Sequence, residues 1–177
     1  MNKLSTSLTL ISALMLAGTT QAAQVNFTGK VTSQTCQFST PKGDELVVNL
    51  PDVSQGDLTA VGQVAKKTTF DIKLSACTTN DNVYIDFGTA NADGGNAGTL
   101  KNTAAGADAA TNVNIQLLQV NAATDLPMNL LAQNPVVKKV SANERETVFN
   151  YAAQYYATGE SKAGLVASNA MITIKYQ

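Results

Sequence analysis

The chain of 177 residues contains no histidine. That absence removes the Ser-His-Asp and Cys-His nucleophile systems and the commonest metal ligand together. Charge is scarce as well: 12 basic and 13 acidic residues nearly cancel and lie scattered, so no basic stripe is available to hold a nucleic-acid backbone. The acidic residues fall on expected loops and wet strand faces, with no apolar pocket signalled around them, which leaves a paired-carboxylate hydrolase without a frame. No enzyme, cofactor, metal site or nucleic-acid partner is expected. Long hydrophobic runs are missing too. Met1-Asn2-Lys3 leads into Leu8-Thr9-Leu10-Ile11-Ser12-Ala13-Leu14-Met15-Leu16-Ala17, which is too short to span a bilayer and reads as a secretory signal. Cleavage is expected after Ala22, with Ala23 as the other option, giving a signal peptide over 1–22 and one domain over 23–177.

Cysteine is limited to Cys36 and Cys77. A signal peptide delivers both to an oxidising compartment, where a single disulfide is the expected outcome.

What the chain has in abundance is short alternating segments. Residues 45–50, 69–74 and 82–87 each place apolar side chains on one parity and polar ones on the other, as in Phe70, Ile72 and Leu74 against Asp71 and Lys73. Residues 112–117 alternate cleanly, after which Leu118 and Val120 switch parity, predicting a bulge or a change of sheet. Strands are also expected over 149–155 and 170–177, and Val25, Phe27, Gly29 and Val31 share one face of a further strand in which Gly29 is the odd small member. Gly88–Thr111, rich in Ala, Gly, Asn, Asp and Thr, carries no apolar period and is predicted to be an exposed loop. Within it, Asn91-Ala92-Asp93-Gly94-Gly95-Asn96 lacks the glutamate a calcium loop needs at its twelfth position, where Asn102 stands. Asn26-Phe27-Thr28 fits a glycosylation sequon and is read as chance. Seven or eight short strands with turn signals and no helical pattern beyond the signal point to an all-β, immunoglobulin-like sandwich.

Several of these features together resemble the structural subunits of chaperone/usher (type 1-like) fimbriae. Gly29-Lys30-Val31 ahead of Cys36 is similar to that family's Gly-x-Val stretch before its first cysteine. Leu74-Ser75-Ala76-Cys77, the strand Ala110–Leu117 and Tyr155-Tyr156-Ala157-Thr158-Gly159 resemble three further family segments. Tyr176 is penultimate and Gly164 is the fourteenth residue from the end, the spacing characteristic of these subunits.

The resemblance implies an incomplete immunoglobulin-like sandwich lacking its last strand, whose open groove is filled by donor-strand exchange. It implies a donor segment over 23–34 with Val25, Phe27, Gly29 and Val31 as its inserted face. The groove would include Gly164, Ala170, Ile172, Ile174 and Tyr176, with Gln177 anchoring to a chaperone. The implied partners are a periplasmic chaperone, an outer-membrane usher and neighbouring pilus subunits. The implied destination is a fimbrium on the bacterial surface, reached through the periplasm and supporting adhesion. A fimbrial adaptor or polyadhesin subunit that binds a host receptor through its loops is the alternative.

Overall fold

The computed structural model describes residues 35–39, 45–132, 134–141 and 146–177. The signal peptide and the segment 23–34, with Val25, Phe27, Gly29 and Val31, lie outside the described residues. In chain order the strands are β1 (Gln37–Phe38), β2 (Val64–Ser75), β3 (Asn82–Phe87), β4 (Ala92–Asp93), β5 (Thr99–Lys101), β6 (Thr111–Gln119), β7 (Leu126–Pro127), β8 (Lys138–Lys139), β9 (Glu146–Lys162) and β10 (Ile172–Tyr176). The larger sheet runs β1-β2-β9-β6-β5-β4 with β7 also on β6, and the smaller runs β10-β3-β8.

Period-two alternation decides which faces meet. Ile72 and Leu74 of β2, Leu117 of β6, and Phe149 and Tyr151 of β9 join Val83, Ile85 and Phe87 of β3 in one buried cluster, so the core is made by inward rows from both sheets. The Phe87 ring meets Tyr151 edge-on at 5.1 Å, a favoured aromatic geometry. Burial holds the Tyr151 phenol well above its ordinary pKa. The longest strand is β9. It pairs with β2 along Glu146–Tyr156 and with β6 along Tyr151–Lys162, extending beyond the predicted 149–155 at both ends because each half has a backbone partner that alternation alone does not reveal.

Three expectations are revised. Gly88–Thr111 is not all exposed loop: it adds β5 and β4 to the larger sheet, with Thr99 and Leu100 buried. Polar side chains, invisible to an apolar period, hold it there. Asn114 Nδ2 donates to Asp93 Oδ2 at 2.9 Å and to Thr99 Oγ1 at 2.8 Å, while Asn96 Nδ2 and the Gly95 N–H donate to the same carboxylate. These N–H donors thus occupy both oxygens of Asp93. The predicted irregularity near Leu118 is also displaced, because the register of β6 on β9 is continuous from Val113 to Gln119 and shifts between Thr111 and Val113 instead. Leu117 and Leu118 are both buried, the latter on the face opposite the core beside β7, which accounts for the change of parity without a bulge. Finally, 45–50 keeps its alternation but joins no named strand among the described residues.

Cys36 and Cys77 form the expected disulfide, across 41 residues of sequence. In the chain-entropy account, closing a loop of this length restrains the unfolded chain by about 4 kcal/mol. Replacing both cysteines with serine should lower the denaturant midpoint of the domain by a corresponding amount. An unchanged midpoint would show that the bond is thermodynamically idle.

The Asp93 cluster gives a pH signature. Hydrogen bonds from Asn114 and then Asn96 hold its carboxyl below its ordinary value. A depressed carboxyl contributes stability that is present above the unfolded value near 4 and is lost as pH falls through the lower folded value. The stability difference between wild type and Asp93→Asn should therefore be largest at neutral pH and shrink in acid. Thermal melts at several pH values would check this, and a gap constant with pH would contradict it.

Candidate functional site: an open strand edge

The end of the chain builds an unusual border to the core. On β10 the inward residues Ile172, Ile174 and Tyr176 stand opposite Phe87, Ile85 and Val83 of β3. Those three partners are 5%, 2% and 0% exposed, whereas Ile172, Ile174 and Tyr176, with Ala170 just before them, are only half-buried against the same cluster. The chemistry of the two rows is alike, so the difference is positional: β3 is flanked by β10 and β8, while β10 has a ladder partner on one side only among the described residues. Leu46, Val48 and Leu50 form a second half-buried alternating row on this core, again with no ladder partner among the described residues. An apolar row along a strand that lacks a ladder partner on one side among the described residues is a candidate site for adding a strand.

Other contacts fix β10 in place. The N–H of Gln177 donates to Asn82 O at 3.0 Å, and the N–H of Gly88 donates to Met171 O at 2.7 Å, prolonging the β3 ladder at both ends. Gln177 itself is exposed. The Tyr176 hydroxyl accepts from the backbone N–H of Cys36 at 3.1 Å.

Gly164, expected with these residues, precedes the strand and has a different neighbourhood. A Cβ there would lie 2.4 Å from Ala110 N and 2.5 Å from Asp108 O, so only glycine allows this close backbone crossing. The crossing is stitched by Leu165 N–H to Asp108 O and by Ala110 N–H to Leu165 O. Asn102, read from the sequence only as a failed calcium ligand, completes it. Its Nδ2 donates to Ala110 O and Leu165 O, and its Oδ1 accepts from the N–H groups of Ala104 and Ala167. Nothing in the spacing of residues marks Asn102, since its partners are backbone groups. Gly159 is a milder case: a Cβ there would lie 3.2 Å from the Asn112 side chain, whose Nδ2 donates to Glu160 O beside it.

Comparison with known proteins fits this geometry. The sequence matches the family described as Fimbrial protein over residues 25–177. The chain belongs to the fimbrial protein family. This fimbrial subunit is 38% identical to the major fimbrial subunit SMF-1 of Stenotrophomonas maltophilia (strain K279a), over 94% of its own length and 99% of that protein's. It is also 38% identical to the F17 fimbrial protein of Escherichia coli, with 87% of each chain covered. Among solved structures, that of a chaperone-usher pilus superposes with a TM-score of 0.57 at 18% identity, covering 89% of this chain and 97% of that one. The likeness to that structure concerns the fold, an all-β immunoglobulin-like sandwich. The fimbrial subunit is a structural building block of a bacterial surface fimbria, not an enzyme, and assembles with other pilus subunits.

The crossing at Gly164 is open to direct test. Gly164→Val should cost several kcal/mol, because the clash is with backbone atoms that cannot rotate away. A fall in the yield of soluble subunit and in its resistance to protease would be expected, and wild-type yield and resistance would remove the case for a close crossing.

Proposed function

We propose that this fimbrial subunit polymerises by donor-strand exchange, its β10 edge accepting an extended segment from another chain. The observation that carries the reading is the contrast across the β10–β3 pair, where half-buried residues stand directly opposite fully buried ones. A strand added beside β10 would pair with it on the side that has no ladder partner among the described residues and cover Ala170, Ile172, Ile174 and Tyr176 together, the two contributions of β-augmentation. Leu46, Val48 and Leu50 supply further apolar surface on the same core.

The donor is residues 23–34 of the next subunit, freed by removal of the signal peptide 1–22. Val25, Phe27, Gly29 and Val31 form its inserted face, with Gly29 entering a pocket too shallow for a larger side chain. Before assembly a periplasmic chaperone occupies the groove, with Gln177 at its anchoring end, and exchange takes place at the outer-membrane usher.

The reading is tested with the subunit purified as its chaperone complex and challenged with a peptide spanning Ala23–Gln34. The wild-type peptide should displace the chaperone, and a Gly29→Leu peptide should do so at least about fivefold more slowly, overpacking of a tight site costing about 1–3 kcal/mol. Equal rates would remove the pocket role of Gly29, and inertness of the wild-type peptide would overturn self-complementary donation.

A further inference from the structure

Away from the open edge, a cavity of about 290 Å³ lies between Ile85 and Phe87 of β3 and the chain around β7. It shares no residue with the row Ala170, Ile172, Ile174 and Tyr176. Its walls are already set. Ile85 and Phe87 belong to the packed core, and Tyr151 fixes the Phe87 ring edge-on. Met128 is pinned by its N–H to Leu117 O at 2.8 Å. Asn129 sits against Gly98, where a Cβ would lie 2.1 Å from its Oδ1, and that oxygen accepts from the N–H groups of Leu131 and Ala132. Gln119 Nε2 donates to Asn134 O at 2.5 Å. A pre-formed site gives up little freedom when a ligand fills it.

The lining selects a class of ligand. It contains no Asp, Glu, Lys or Arg, so a charged group would be desolvated there without a counter-charge. Ile85, Phe87, Leu126 and Met128 offer apolar surface, while Gln119, Asn129 and Asn134 offer carboxamides. The bonds just described use the Asn129 oxygen and the Gln119 nitrogen. One carboxamide nitrogen and one carboxamide oxygen are thereby left without a hydrogen bond to another described residue. A hydroxyl group both donates and accepts, so it suits such a pair. The volume is roughly twice the 150 Å³ that seats benzene, which is room for one substituted six-membered ring.

We propose that this cavity binds a single neutral pyranose ring, its C–H face on the apolar wall and its hydroxyls on the carboxamides. The inference goes beyond the donor-strand reading and does not depend on it. A ligand of about 13 non-hydrogen atoms would be held with a dissociation constant on the order of 1 mM. A fimbria repeats the subunit, so many such sites would act together on a glycan-covered surface.

The test uses fimbriae purified from cells that express the full chain. Saturation-transfer NMR is run with methyl α-D-mannopyranoside, methyl β-D-galactopyranoside, methyl β-D-glucopyranoside and methyl α-L-fucopyranoside, and with glucuronate, glucosamine and toluene for comparison. At least one neutral pyranoside should show transfer, at least about tenfold more strongly than either charged sugar. Asn134→Ala should weaken its binding about fivefold, the factor for one lost neutral hydrogen bond, and Leu126→Asp by at least as much. Val61→Asp, at an exposed apolar residue outside the cavity, should leave binding unchanged. A second measurement needs no variant. Beyond residue 22 the chain has two methionines, Met128 in the lining and Met171, which is 78% exposed and outside it. At a concentration ten times the dissociation constant, the pyranoside should slow peroxide oxidation of Met128 at least about threefold and leave Met171 unaffected. Absence of transfer from all four pyranosides would overturn the inference, as would binding that survives both cavity variants or leaves Met128 unprotected. Binding of toluene alone would show an apolar cavity and overturn the carbohydrate class.

Discussion

The fold turns on a single geometric condition: within the described residues its last strand, β10, is paired on one side only. A sheet edge bordered by charged or short strands is harmless, but β10 sets Ile172, Ile174 and Tyr176 along the core. Those side chains lie in register with the most deeply buried residues of β3, so the core continues out to an unfinished border. On the donor-strand reading, that border receives a strand from another chain.

The rest of the domain holds that border still. The approach to β10 passes through a crossing where the backbone at Gly164 touches residues 108–110, and Asn102 ties both sides with four hydrogen bonds. The other end of the strand meets Cys36 through the Tyr176 hydroxyl. Rigidity comes from backbone pairing and amide side chains; the three ion pairs of the described residues lie on exposed or half-exposed groups, where such pairs contribute little.

Much of this was legible in the sequence because a half-wet sheet writes itself as alternation. Residues 82–87 became β3 with no change of bounds, and the inward parity of 170–176 was readable for the same reason. What alternation cannot report is a partner. It did not show that β9 extends to 17 residues between two neighbours, or that 45–50 would stand outside the named strands. Nor could it find β4 and β5, whose place depends on amide and carboxylate contacts to Asp93, Thr99 and Asn114. The importance of Gly164 was readable from its place in a family pattern, but its physical basis, a backbone crossing, was not.

The position of the disulfide has a mechanical meaning. On the donor-strand reading, tension along a fibre enters each subunit through the chain leading to Cys36 and leaves through the strand lying on β10. Cys36 is bonded to Cys77, which stands five residues before the start of β3, and β3 is the direct ladder partner of β10. Force can therefore pass from end to end through one covalent link, a short loop and one antiparallel ladder loaded in shear. The larger sheet is joined to the same point through the short β1–β2 ladder at Gln37 and Phe38.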